Sequence, residues 1–234
     1  MRKRDLRDDH SRNLRARSLT VAALLERKRR IKTSRNTTYF MLTQLSTIKA
    51  RLGIDPVELR HDSLLTNAIL AVSARFDKEC NRALGRTVNA THEFDGCDRE
   101  IVPLCYPIEA VSKFDLKTSE ADGWVEQTGV QYLIRRSCVV SLESPLSGSM
   151  QSVGRVTYTG GYVLPGTTPG AGQTALPDDL EQAAVEQVAA WFQMRDMLGL
   201  VRHWPKGGVY QQFAQTDLLL VVRAVLEKYR RWSI

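Results

Sequence analysis

The hydrophobic period changes twice along this chain, and that double change constrains the fold more than any other feature. Over residues 63–82, Leu65, Ala68, Ile69, Val72, Phe76 and Cys80 recur at intervals of three and four, one face of an α-helix. From about residue 100 the repeat shortens to two. Glu100-Ile101-Val102-Pro103-Leu104 and Ile108 to Leu116 read as strands parted by the Tyr106-Pro107 turn. Trp124-Val125, Tyr132-Leu133-Ile134, Cys138 to Leu142 and Arg155 to Thr159 follow as short, β-branched runs bounded by Gly, Ser or Pro. From residue 178 the helical period returns. A chain that runs helix, strands, helix predicts an α+β fold: three to four helices in a bundle, with one small antiparallel β-sheet inserted between them.

The helix ends carry their own signals. Asp62 and Ser63 offer an N-cap to the first long helix, and Gly85 a stop beyond it. The second long helix is expected over about 178–198, with Pro177 at its start and Asp178, Asp179 and Glu181 near the positive end of its dipole. Leu180, Ala184, Val188, Trp191 and Leu198 form its buried stripe. A third is expected over 217–231 behind Thr216, and a short one over 42–52 ending at Gly53. Residues 160–177, with five Gly and three Pro, read as a long flexible loop that is free to rearrange.

Charge divides the 234 residues unevenly. The net charge of +7 arises from residues 1–35, which hold 13 Lys and Arg against 4 Asp and Glu; the remaining residues carry 20 basic and 22 acidic groups. A basic N-terminal arm over residues 1–40 is therefore set apart from a nearly neutral body over 41–234. Arg27, Lys28, Arg29, Arg30 and Lys32 are its candidate phosphate contacts, since clustered cations bind DNA by releasing counterions. A solvated tail and a translation start at Met41 are the competing readings of the arm. No apolar run reaches the roughly 18 residues of a membrane span, so a soluble protein with no membrane partner is expected. Leu19 to Leu25 lacks a cleavage site, because Glu26-Arg27-Lys28-Arg29-Arg30 stands where one should be.

Catalytic chemistry finds no starting member. Cys80, Cys97, Cys105 and Cys138 form no C-x-x-C pair, and His92 with Cys97 and Cys105 matches no zinc spacing, so no metal is expected. Cys80 and Cys138 read as small buried hydrophobes. Gly166 to Thr174 resembles a phosphate cradle, but Gln173 replaces the lysine that cradle needs and Pro169 removes a donor; Gly160-Gly161 lacks dinucleotide spacing. His10 and His61 are expected to be exposed, and His92 and His203 to lie near turns. None sits in a nucleophile frame. No enzyme activity, catalytic residue or cofactor is expected.

The C-terminal run Glu227-Lys228-Tyr229-Arg230-Arg231-Trp232-Ser233-Ile234 joins basic and aromatic residues, types enriched at binding hot spots. Either this tail docks on a partner, or Trp232 folds back on the chain's own core.

Four segments in order carry a resemblance. They are Cys80-Asn81-Arg82 at a helix end; Ile101-Val102-Pro103-Leu104-Cys105-Tyr106-Pro107-Ile108-Glu109-Ala110-Val111; Val156-Thr157-Tyr158-Thr159-Gly160-Gly161-Tyr162; and Leu176-Pro177-Asp178-Asp179-Leu180-Glu181-Gln182-Ala183-Ala184 opening the helix with Trp191-Phe192. Over residues 41–234 the chain resembles the head-tail connector (adaptor) proteins of long-tailed phages and prophages; residues 1–40 lie outside the resemblance. It implies a structural virion protein, assembled in the bacterial host cytoplasm and located at the head-tail interface. Such proteins form a homo-oligomeric ring of about twelve copies beneath the portal protein, of the closed cyclic kind. The ring extends the channel for double-stranded DNA and receives a stopper or tail-completion protein. Portal docking would fall to Tyr229, Arg230, Arg231, Trp232 and Ile234. A near-neutral body suits close packing of copies and a channel through which DNA slides. The alternatives are a DNA-binding protein that uses the arm, or a stopper or tail-completion protein.

Overall fold

The structure, a computed structural model, describes residues 40–195, 202–203, 211–212 and 218–231. The arm residues Arg27, Lys28, Arg29, Arg30 and Lys32, and Thr216, Trp232 and Ile234, lie outside the described residues.

Among the described residues there are four helices: α1 (Leu45–Leu52), α2 (Asp62–Glu79), α3 (Asp178–Gln193) and α4 (Leu220–Lys228). Their apolar stripes meet in one cluster. Leu65, Ile69, Val72 and Phe76 of α2 pack with Leu180, Ala184 and Val188 of α3, Val222 and Leu226 of α4, and Ile48 of α1. The left-handed Gly53 (φ 68°) ends α1 as expected. Asp62 does not cap α2. His61 holds the N-cap position without a side-chain bond, and Asp62 instead forms an ion pair at 2.6 Å with Lys49 of α1. The last helix is shorter than expected, because its cap comes from another element: buried Gln187 of α3 accepts the Leu219 N–H at 2.9 Å, fixing where α4 begins.

The described strands form two main sheets and two short two-stranded ladders where one sheet was expected. The larger has the order β1-β7-β3-β4, with β1 (Thr87–Asp95), β3 (Ile108–Lys117), β4 (Val125–Gln127) and β7 (Val153–Gly160), all antiparallel. The smaller is β2-β6-β5, with β2 (Glu100–Ile101), β5 (Tyr132–Arg135) and β6 (Val139–Leu142). Pro103 and Pro107 supply no N–H, so the expected strand from Glu100 stops after two residues and no ladder continues from it into β3. Both sheets share one core, where Phe94, Ile101, Phe114, Val140, Leu142, Val156 and Tyr158 pool. Strand β1 gave no alternating signal because only Phe94 of its nine residues is fully buried. The Gly/Pro-rich stretch is tied down at both ends by a two-residue parallel ladder of β8 (Tyr162–Val163) with β9 (Thr174–Ala175). One further pair, β10 (Arg202–His203) with β11 (Gln211–Gln212), forms an antiparallel ladder.

The chain crosses between helices and strands at one place. Ala83 bridges Cys105, Gly85 bridges Tyr162, and the Gly161 N–H donates to the Pro107 carbonyl at 2.8 Å. Gly161 has φ 104°, and a Cβ there would sit 2.5 Å from the Gly85 carbonyl oxygen. Gly161→Ala is expected to cost at least about 2 kcal/mol of unfolding free energy, from a disallowed backbone and a contact with rigid main chain. Chemical denaturation reads this directly; a loss below about 0.5 kcal/mol, the range of ordinary surface changes, would show that the crossing is pliable.

Candidate functional site

The C-terminal segment returns to the crossing and fastens it. Helix α4 buries Val222 and Leu226, which brings Tyr229 over the start of α3, where its hydroxyl donates to Asp179 Oδ1 at 2.6 Å. Burial, and then the Asp179 carboxylate, push the Tyr229 hydroxyl well above the usual phenol range, so it stays a donor. Two residues on, the Arg231 N–H donates to the Cys80 carbonyl at 2.8 Å, and Nε and Nη2 both donate to the Val102 carbonyl at 3.1 and 2.5 Å. Arg231 therefore joins the end of α2 to the segment after β2. Its guanidinium is half-buried, and burial lowers its pKa.

A second arginine fills the same seam. Asn81, in the left-handed region at φ 49°, turns the chain so that Arg82 points inward. The Arg82 guanidinium lies over the Tyr106 ring at 3.2 Å and 5.2 Å from the Tyr162 centroid, and it donates to the Tyr106 carbonyl. A guanidinium between two aromatic faces is a strong, oriented contact. Nearby, Tyr158 Oη accepts the Cys105 N–H at 2.9 Å from within the sheet core.

Three further groups of the seam, His92, Cys80 and Cys105, hold their neutral forms. His92 sits inside β1 instead of beside a turn, and its Nδ1 has no hydrogen-bond partner. Burial, with the Arg231 charge adding to it, lowers His92 to about 4. Burial pushes the Cys80 thiol up to about 12 and raises Cys105, so both are inert thiols. Cys138 is half-buried at the β5–β6 turn. His61 is half-buried too, its ring edge-on to Phe192 at 5.3 Å. These groups hold elements together; no nucleophile, base and oxyanion donor converge among them. Among the described residues no three His, Cys, Asp or Glu side chains gather as a metal site, and no helix is long and apolar enough to cross a membrane.

The structure thus brings Tyr229 and Arg231 onto the chain's own body. Arg230 stays exposed, with Glu227 3.6 Å away. Two buried cations escaped the sequence. Arg82 closes the expected helix over 63–82 with nothing to mark it as stacked. Lys49 left no sequence signal either, yet it lies next to Ile48 on the buried side of α1. Its ammonium reaches the Pro56 carbonyl at 3.1 Å, the Glu58 carbonyl at 2.7 Å and the Asp62 carboxylate.

No family profile matches the chain, and no curated protein is similar to it. Among solved structures, it is similar to a chain in the neck of an empty GTA particle, a structure computed with C6 symmetry. The two share 15% identity at a TM-score of 0.49, over 81% of this chain and 89% of that one.

Proposed function

We propose that this chain is a structural protein of a phage or prophage neck, a head-tail connector that closes into a ring beneath the portal and passes DNA on to a stopper or tail-completion protein. One observation carries the proposal: the four segments that resemble the connector family meet at one seam. Cys80 to Arg82, Val102 to Pro107 and Gly161-Tyr162 are the residues through which helices and strands are joined, and Asp179 holds Tyr229 of the segment that closes them. The resemblance therefore follows an architecture and not a composition. A seam of one stacked arginine, a second arginine bonded to main-chain carbonyls, buried tyrosines and protonated thiols suits assembly. In this reading Arg230, Trp232 and Ile234 supply contacts to the portal, and the basic arm supplies contacts to DNA.

Quantitative peptide mass spectrometry of purified, DNA-filled particles from the strain that encodes the chain tests this. The expected result is about a dozen copies per particle, the size of a closed cyclic ring. A chain absent from particles but held on duplex DNA, with affinity falling steeply with salt and lost on removal of residues 1–35, would replace the connector with a DNA-binding protein.

A further inference from the structure

The segment between α1 and α2 is irregular, yet it is held in shape from beneath. Lys49, 4% exposed, takes two of its carbonyls and the Asp62 carboxylate, and Asp55 Oδ1 accepts the Val57 N–H at 2.9 Å. A buried ammonium with three oxygen partners makes this a rigid loop. What the loop displays is apolar: Val57 is 82% exposed and Leu59 74%. Glu58 and Arg60 alternate with them, both exposed, and among the described residues neither makes an ion pair. Pre-set apolar side chains on a rigid support bind with little ordering cost.

The sheet module carries a surface of matching character. The three-stranded sheet carries an open cleft of about 710 Å³ lined in part by Leu133, which is 67% exposed. Four charged residues line it: Arg135 pairs with Glu100 at 3.4 Å, which leaves Arg99 and Glu143, one of each sign, with no ion pair among the described residues. Leu133 faces outward on the edge strand β5, opposite Ser141 of β6, so no side chain of its own sheet covers it.

We propose that the Val57–Leu59 loop of one copy seats in the Leu133 cleft of the next copy, with Glu58 against Arg99 and Arg60 against Glu143. Charge complementarity selects a second copy as the occupant: each surface leaves one acid and one base unpaired, and the two sets answer each other. The loop belongs to the helical module and the cleft to the sheet module, so the contact is head-to-tail. A head-to-tail contact repeats around an axis and closes into a ring when the rotation allows. The inference rests on the ring proposed above and supplies its subunit interface.

The full chain tests this in three ways, the first two read by sedimentation velocity or native mass spectrometry and the third by peptide mapping of the cross-linked product. Val57→Asp with Leu59→Asp should raise the assembly dissociation constant at least about 30-fold, the effect of removing an interface hot spot, while the unfolding midpoint of the monomer stays put. Glu58→Arg should weaken assembly about tenfold, and Arg99→Glu on the same chain should restore it, because charge pairs set register across an interface. A photo-reactive phenylalanine at position 133 should cross-link to residues 55–60 of another copy, a readout that needs no destabilising change. Rings that form normally in the aspartate variant, or cross-links that land elsewhere or on a different protein, overturn this interface and leave the connector reading intact. A wild-type chain that stays monomeric at every concentration and is absent from particles overturns both.

Discussion

Lys49→Met is expected to lower the unfolding free energy by about 3 kcal/mol, the effect of removing one partner from a buried ion pair. The change leaves the Asp62 carboxylate, at the first turn of α2, without its cation, and strips the Pro56 and Glu58 carbonyls of a shared donor. Burying the methionine recovers apolar contact but no hydrogen bond, so the deficit is electrostatic. Pairing the change with Asp62→Leu should return much of the loss, since two apolar groups can replace a buried pair at small net cost. Hydrogen exchange should also rise over residues 54–61 in the single variant, ahead of the rest of the helical module. A loss under about 1 kcal/mol with unchanged exchange, as for an exposed pair, would mean the loop holds its shape without Lys49.

Acid should weaken the fold through His92 within a defined window. Its folded value is about 4 against 6.5 for the free side chain. At pH between those values the unfolded chain binds the proton and the folded chain does not. Stability from this group is therefore complete above about 6.5, falls as pH drops toward 4, and changes no further below that. The whole span is worth about 3 kcal/mol. Asp98 and Glu181, whose carboxyls burial raises, act with the opposite sign, so the comparison must be between His92→Gln and the wild type. The variant should flatten the difference over pH 4 to 6.5. Arg231→Met should move the His92 titration upward in an NMR experiment, by the share the guanidinium contributes. Equal pH profiles for the wild type and His92→Gln would show that His92 is solvated in the folded state.

The helices were legible because their stripes follow a single period that burial enforces: Leu65, Ile69, Val72 and Phe76 are all buried, as the spacing predicts. Strands with alternating or β-branched runs were legible for the same reason. Strand β1 was not, because its polar residues face outward or line the seam, and a strand that buries one residue in nine has no period to detect. The division into two sheets was hidden as well. It depends on where Pro103 and Pro107 withhold donors, an effect that acts only once strands are paired. The seam was half legible: its segments were recognised in order, but the inward turn of Arg82 depends on the left-handed Asn81, and the placement of His92 depends on pairing with β7. Lys49 reads as a solvated lysine until the carbonyls of the following loop are folded over it.

The strands are an insertion within the helical module, and this has a consequence for synthesis on the ribosome. The helical core needs Ile48, Leu65, Ile69 and Phe76 from before the strands and Leu180, Val188, Val222 and Leu226 from after them. The sheet module draws its core from within residues 94–158 and is complete as soon as those have emerged. Until α3 and α4 follow, the apolar faces of α1 and α2 wait without a partner beside a finished neighbour. Contacts this distant in sequence form late, and exposed apolar faces in a nascent chain invite association with other chains. The closing of Arg231 across Cys80 and Val102 sets the two modules in their final relation, and it waits until both modules have emerged.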